Sequence, residues 1–254
     1  MKKLVDLTGR RALVTGGSRG VGAATARLLA QAGADVAISY RSRDDEARVT
    51  LEQLREHGGD CLAVRGDLTE SSAVDALFDE LGARWGGLDI VVGNHGIWPP
   101  EDVALADMSD DRWSTTLRVT LDSIFRLCRR AAQHLNDDGR LVLVASTAAQ
   151  RGEAFHGDYA ASKGAMVSLV KGLCVELAPR GITVNAVAPG WIDTEMAHPA
   201  FESGRREAIA RSIPIGRIAT ADDIAGPIVF LCSTLARHVT GEILNVNGGA
   251  VLVG

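Results

Sequence analysis

The sequence predicts an α/β fold, in which one domain spanning residues 1–254 forms a doubly wound parallel sheet of about seven strands with helices on both faces. Three observations lead there. Short apolar runs alternate with helical patterns along the 254 residues, the signature of successive βαβ units. No low-complexity linker and no repeat of roughly 20–50 residues divides the chain. Hydrophobic residues make up 46% of it, enough for a full core. Parallel sheets are covered on both faces, and right-handed crossovers favour the doubly wound arrangement.

The strand-like runs are 12–15, 36–39, 62–64, 90–92, 141–145, 183–187 and 243–246. Helical patterns fill most of the gaps, at 21–32, 44–57, 73–85, 111–135, 159–178 and 222–231. Gly33 and Gly58 follow two of these helices, where left-handed caps are expected. The longest irregular stretch, about 191–212, carries Trp191, Met196, Phe201 and Ile209 among charged residues. It follows a strand at the sheet end where such folds bind ligands, so it reads as a substrate lid, with a plain surface excursion as the alternative.

Composition excludes several functions. A formal net charge of −5 gives no electrostatic reason to expect nucleic acid or an anionic membrane surface. Met1-Lys2-Lys3 resembles a signal-peptide start, but Asp6, Thr8, Gly9, Arg10 and Arg11 leave no apolar segment behind it. No stretch approaches the roughly 18 apolar residues of a membrane helix. A soluble, cytoplasmic protein is expected, and no metal site is assigned. Cys61, Cys128, Cys174 and Cys232 are scattered and read as small buried hydrophobes rather than catalytic thiols.

The first strand feeds the turn Thr15-Gly16-Gly17-Ser18-Arg19-Gly20-Val21-Gly22. Such a turn presents unobstructed N–H groups at a helix N-terminus, which suits a pyrophosphate. Gly16 permits the tight turn, and Gly20 and Gly22 permit close approach and helix–strand packing. The spacing Gly-x-x-x-Gly-x-Gly departs from the commoner Gly-x-Gly-x-x-Gly. Taken alone, the turn also fits a purely structural role.

The second strand ends Ser39-Tyr40-Arg41-Ser42-Arg43, with no carboxylate before Asp44. NAD binding would place an acidic residue there for the ribose hydroxyls. Arginine pairs well with phosphate, so Arg19 and Arg41 favour NADP(H) over NAD(H). As solvated charges, Arg41 and Arg43 would weaken that preference without reversing it. Asp67, followed by Leu68, is positioned after the third strand to reach an adenine edge. Asn94, two residues before Gly96, is positioned after the fourth to support the backbone on the cofactor side.

The reacting groups are expected at Ser146, Tyr159 and Lys163. A carbonyl accepts hydride more easily when an acid protonates its oxygen. Tyr159 and Lys163 share a helical face at i and i+4, where the lysine charge would lower the phenol pKa. Lys163 is also placed to hold the nicotinamide ribose hydroxyls. Ser146, at a strand end, would orient the carbonyl by donating a hydrogen bond. The same groups run backwards would oxidise an alcohol. The Tyr-x-x-x-Lys pair alone is weak, since an anchoring tyrosine and a solvated lysine produce it by chance; the upstream serine and nucleotide turn make it specific.

With these motifs in order, the chain resembles the short-chain dehydrogenase/reductase family. The matches are Thr15-Gly-x-x-x-Gly-x-Gly22, Asp67, Leu88-Asp89, Asn94 to Gly96, Ser146, Tyr159 with Lys163, Asn185, Pro189-Gly190-x-x-x-Thr194 and the ending from Thr240 to Gly249. Ile213-Pro-Ile-Gly-Arg217 with that ending is most similar to 3-oxoacyl-carrier-protein reductases and their sugar and small-alcohol dehydrogenase relatives. The resemblance implies a Rossmann-type seven-stranded sheet and a homotetramer built on the two long helices before and within the active site. It implies Ser146 as carbonyl binder, Tyr159 as acid/base and Lys163 as its activator. Pro189, Gly190, Ile192 and Thr194 would line the nicotinamide side.

Two departures stand out. The family's Asn-Asn-Ala-Gly reads Gly93-Asn94-His95-Gly96 here, putting a titratable ring near the nicotinamide or substrate mouth. Packing beside Trp98 is its plainer reading. Thr120 stands where the family carries a fourth catalytic residue, an asparagine that stabilises a helix kink and a water leading to the lysine. Thr120 keeps a hydroxyl and loses the amide.

The expected activity is NADP(H)-dependent interconversion of a small-molecule carbonyl and secondary alcohol. NAD-linked sugar or polyol oxidation, and a nucleotide-sensing protein with little turnover, are the alternatives. Candidate substrate contacts are His95, Trp98, Gln150, Arg151, Glu153, His156, Trp191 and the 196–201 stretch. Arg151, Arg205 and Arg206 form either a carrier-protein docking patch or, more simply, solvated helix charges.

Overall fold

Seven parallel strands form one sheet in the computed structural model, which describes residues 4–253. Met1, Lys2 and Lys3, the signal-like start, lie outside the described residues. The strands are β1 (Arg11–Thr15), β2 (Asp35–Tyr40), β3 (Cys61–Arg65), β4 (Leu88–Gly93), β5 (Leu135–Val144), β6 (Thr183–Pro189) and β7 (Ile243–Val246). Their order is β3-β2-β1-β4-β5-β6-β7. The order reverses between β1 and β4, and open sheets of this kind bind ligands at that switch point.

The helices are α1 (Gly20–Gln31), α2 (Asp44–Arg55), α3 (Ser71–Trp85), α4 (Asp110–Leu117), α5 (Ser123–His134), α6 (Ala148–Arg151), α7 (Gly157–Leu177), α8 (His198–Phe201), α9 (Arg205–Ser212) and α10 (Ala221–Cys232). Alternation along the strands divides the core in two. Ala12 and Val14 of β1 pack with Leu29 of α1 and Ile228 of α10, whereas Leu13 packs with Phe78 of α3, Leu127 of α5 and Val170 of α7. This is the doubly wound arrangement that the alternating pattern predicts. Gly33 and Gly58 adopt positive φ, as expected of left-handed caps.

Three stretches differ from the sequence pattern. The continuous helix expected over 111–135 is broken by a π-helical turn at Arg118–Asp122, between α4 and α5. β5 begins at Leu135 rather than near 141, with an irregular register opposite Leu88 and Ile90. Its polar start, Asn136-Asp137-Asp138, hides it from a hydrophobicity reading. The 191–212 stretch holds α8 and α9. Its Ala197 and Phe201 form a small core with Ile213 and Ile218 just beyond it, against which Trp191 packs. Both helices are short and α9 is strongly charged, so neither has a readable apolar stripe.

Candidate active site

The ends of β1, β4, β5 and β6 open into a cleft of about 970 Å³. At one end the glycine turn links β1 to α1. Gly16 and Gly20 have φ of 63° and 54°, conformations that favour glycine. A Cβ on Gly22 would lie 2.2 Å from the Gly16 carbonyl oxygen and 2.6 Å from Asn94 Nδ2, so only glycine fits. Asn94 Nδ2 donates to the carbonyls of Thr15 (3.0 Å) and Gly16 (3.2 Å), fixing the turn from β4 as expected. Ser18, Arg19, Gly20 and Val21 line the cleft beyond it. These backbone groups, unobstructed at a helix start, fit a dinucleotide pyrophosphate.

Tyr40, Arg41, Asp67, Leu68 and Gly96 line the same cleft. Asp67 accepts hydrogen bonds from the Thr69 amide (3.0 Å) and hydroxyl (2.8 Å). Burial works against its charge, but those bonds, with Arg41 and Arg118, hold its carboxyl below the usual range. Pro189, Gly190, Ile192 and Thr194 line the far wall. A Cβ on Gly20 would lie 3.4 Å from Thr194 Cγ2, so the 191–212 segment crosses above the glycine turn. Arg41 is exposed at the rim, but Arg19 is not free. Its guanidinium is paired with Glu195, which also lies 3.7 Å from Arg43. Sequence reasoning missed Glu195, although an acidic residue beside Thr194 was legible as a neighbour of the cleft.

Ser146, Tyr159 and Lys163 converge deeper in the cleft. Ser146 Oγ accepts from the Ala148 amide at 3.1 Å and hydrogen-bonds the Tyr159 phenol. Burial pushes Tyr159 up to about 12; the Ser146 bond opposes this and the charge of Glu153 adds to it. Burial brings Lys163 down to about 8. The lysine does not lower the phenol pKa here as the i, i+4 spacing predicts. Its Nζ lies over the Tyr159 ring, 5.8 Å from the centroid, and donates to the Val144 carbonyl at 2.7 Å. Asp158, buried beside Tyr159, accepts from Thr116 (2.7 Å) and Arg112 (3.3 Å) and ties α7 to α4. Sequence reasoning missed this brace.

Thr120 lies in the π-helical turn, fully buried. Its Oγ1 accepts from the Ile97 amide at 3.2 Å and reaches the Ile97 carbonyl at 3.4 Å. The kink is therefore present with a threonine, tied by hydroxyl rather than amide to the loop after β4.

His95 is not packed beside Trp98. Its Nδ1 lies 2.7 Å from Thr15 Oγ1 and its Nε2 2.8 Å from Ser123 Oγ. The ring joins the end of β1 to the start of α5, with one side on the cleft. Burial, reinforced by the Lys163 charge, brings it down to about 3, so it is neutral.

The outer end of the cleft is lined by Trp98, Arg151, Glu153, Trp191 and Met196. Two expected contacts are not brought there. Gln150 turns to Asn245, donating at 2.7 Å, and His156 is buried behind the Trp98 ring, stacked on it at 4.7 Å. Ser212, Ile213, Ala250 and Val251 line the cleft without having been expected. Arg206 is paired with Asp193 and lies over Phe201, which removes it from any docking patch of free charges. Cys61, Cys128 and Cys232 are buried and Cys174 half-buried. Burial pushes the Cys128 and Cys232 thiols up to about 12, far from nucleophilic thiolates.

Comparison with known proteins shows the family. A family model described as "Enoyl-(Acyl carrier protein) reductase" matches residues 16–251. The chain is 38% identical over 252 residues to 3beta-hydroxysteroid dehydrogenase 1 of Eggerthella lenta, covering 97% of this chain and 95% of that one. It is 35% identical over 251 residues to the 3-oxoacyl-(acyl-carrier-protein) reductase FabG of Escherichia coli, covering 98% and 100%. A short chain dehydrogenase from Burkholderia cenocepacia, solved in complex with NADP, superposes with a TM-score of 0.89 at 38% identity, covering 96% and 98%. With matches over nearly its whole length, the chain, whose glycine turn, serine, tyrosine and lysine meet in one cleft, belongs to the short-chain dehydrogenase/reductase family and is an oxidoreductase.

Proposed function

We propose that this enzyme is an NADP(H)-dependent oxidoreductase of the 3-oxoacyl reductase-like kind, interconverting a carbonyl and a secondary alcohol. One observation carries the reading: Ser146, Tyr159 and Lys163 share a cleft with the glycine turn. The nicotinamide cofactor, when bound, supplies or accepts the hydride. Gly16, Ser18, Gly20 and Val21 would hold its pyrophosphate, Arg19 and Arg41 its 2′-phosphate, and Pro189, Ile192 and Thr194 its nicotinamide side. Ser146 donates a hydrogen bond to the substrate oxygen and fixes its direction. Tyr159, protonated well above neutral pH, gives its phenolic proton to that oxygen during reduction. Lys163 is the nearby cation that offsets the phenolate left behind, and its ammonium is held by the Val144 carbonyl.

Glu195, sitting on Arg19 and Arg43, is the observation that favours the alternative of NAD-linked alcohol oxidation, since it competes with a phosphate for those arginines. A homotetramer is supported by Phe125 of α5 and Val175 of α7, large apolar side chains left 50% and 72% exposed. No described helix is long and apolar enough to cross a membrane. Tyr159→Phe tests the assignment. Turnover is expected to fall about 10²–10⁴-fold while NADPH binding persists. Undiminished turnover would favour a different acid, and wild-type NADPH binding without turnover on any carbonyl would favour the nucleotide sensor.

A further inference from the structure

The outer end of the cleft is chemically lopsided. Trp98 lies nearly parallel to the His156 ring, with centroids 4.7 Å apart and planes 11° apart. Trp191 meets Trp98 edge-on at 5.8 Å and 84°. Phe201 supports Trp191 from behind at 5.8 Å, and Phe201 is itself buried in the small core of the 191–212 segment. Each ring is thus held by the next, which gives a preformed apolar corner in which both Trp98 and Trp191 line the cleft. Aromatic corners of this kind reward a flat, rigid partner, because stacking and edge contacts need fixed planes and a rigid ligand loses little freedom on binding.

Set into this apolar corner is the Glu153 carboxylate. Glu153 lines the cleft, accepts a hydrogen bond from the Trp98 side chain and is close enough to Tyr159 for its charge to act on the phenol. A half-buried carboxylate is an acceptor that seeks a donor. Arg151 is exposed at the rim of this end, and His198 lies 3.6 Å from Asp193. Arg206 is already engaged by Asp193, so a long anionic arm or an acidic carrier surface finds few free charges here.

We propose that the substrate is a flat, largely apolar, fused-ring ketone or secondary alcohol that also carries a hydrogen-bond donor, its rings seated on Trp98 and Trp191 and the donor on Glu153. This inference rests on the oxidoreductase reading above and names the substrate class for that same site. An open-chain thioester gains less from the aromatic corner, since each of its rotatable bonds must be ordered. It also has no donor for Glu153 beside its reacting carbonyl.

The test is NADPH oxidation by the full chain with three probes: 2-tetralone, 8-hydroxy-2-tetralone, whose hydroxyl lies near the carbonyl, and acetoacetyl-N-acetylcysteamine. The ring ketones are expected to exceed the thioester in kcat/KM by at least about tenfold. Trp191→Ala is expected to cut that ratio at least about fivefold. Trp191→Phe, which keeps a ring if the alanine variant folds poorly, is expected to retain most of it. Glu153→Gln is expected to lower the preference for the hydroxylated tetralone over 2-tetralone. A thioester preference in the wild type would overturn the proposal, as would variants that lower every probe in equal proportion. Failure of the underlying reading looks different: NADPH is consumed with none of the three probes.

Discussion

His95 offers the sharpest test of how this site is braced, because the chain departs from its family there and the ring is fully engaged. His95→Ala removes both ring contacts, to Thr15 at 2.7 Å and to Ser123 at 2.8 Å. Each hydroxyl retains a backbone carbonyl, Val92 at 3.2 Å and Val119 at 2.7 Å, so each lost bond costs near the low end, about 1 kcal/mol. Lost packing of the ring adds about another 1 kcal/mol. The sum is roughly 2–3 kcal/mol above pH 7, or a Tm lower by about 5–10 °C for a chain of this size. The acid dependence gives a second, independent handle. The folded-state pKa of His95 is brought down to about 3 from an ordinary 6.5. The unfolded chain therefore takes up a proton at higher pH than the folded one. The stability that neutral His95 contributes is complete above about pH 6.5 and is lost as pH falls towards 3, by up to about 1.4 kcal/mol per pH unit. Alanine has no such term, so the gap between wild type and variant should shrink by roughly 2 kcal/mol between pH 8 and pH 5. Urea unfolding of both proteins at the two pH values measures it. A gap under about 0.5 kcal/mol at pH 8, or one that does not move with pH, would refute the bracing role and the buried neutral ring together.

Two further substitutions probe the cleft. Thr120→Asn restores the amide that the family carries, but the kink is already formed and Oγ1 already holds Ile97, so turnover should stay within about tenfold of wild type. A much larger gain in steady-state kcat would show that the native proton path is impaired. Glu195→Gln removes the carboxylate that competes for Arg19 and Arg43, and NADPH titration by fluorescence should give a Kd about two- to fivefold lower, the scale of an exposed ion pair. Weaker NADPH binding in that variant would mean that Glu195 aids the cofactor rather than opposing it.

The fold was legible because its central parallel strands are buried on both faces, so they read as apolar runs, and because positive-φ glycines at 33 and 58 punctuate the helices. The chemistry was legible where it depends on spacing: Tyr159 and Lys163 one helical turn apart, and a glycine at 22 where any Cβ collides. Direction was not legible. The sequence put His95 near the cleft but not on Thr15 and Ser123, because those partners are 80 and 28 residues away. Gln150 and His156 sit close in sequence to the reacting groups, yet their side chains leave the cleft, since helix α6 and the turn after it aim them elsewhere. The π-helical turn leaves no mark on the hydrophobic pattern at all. Electrostatic sign was the subtlest loss: an i, i+4 lysine was expected to lower the tyrosine, but burial acts on both groups and drives them towards neutrality.

That last point has a directional consequence. Tyr159 raised to about 12 is a phenol ready to give a proton, which is the state reduction needs, whereas alcohol oxidation begins from a phenolate. Lys163, brought down to about 8 by burial, is charged at neutral pH and discharges just above it, its ammonium held by the Val144 carbonyl. As the pH rises through about 8 the ammonium that offsets the phenolate is lost. Reductive kcat/KM should therefore be flat from pH 6 to about 8 and decline above, while oxidative kcat/KM rises from pH 6 towards 8. Lys163→Arg separates this from a general effect of alkali, since a guanidinium stays charged throughout that range. With a permanent cation, the decline near pH 8 should vanish from whatever reductive activity remains. If the break persists in the arginine variant, another group titrates there, and the lysine is not the charge on which reduction depends.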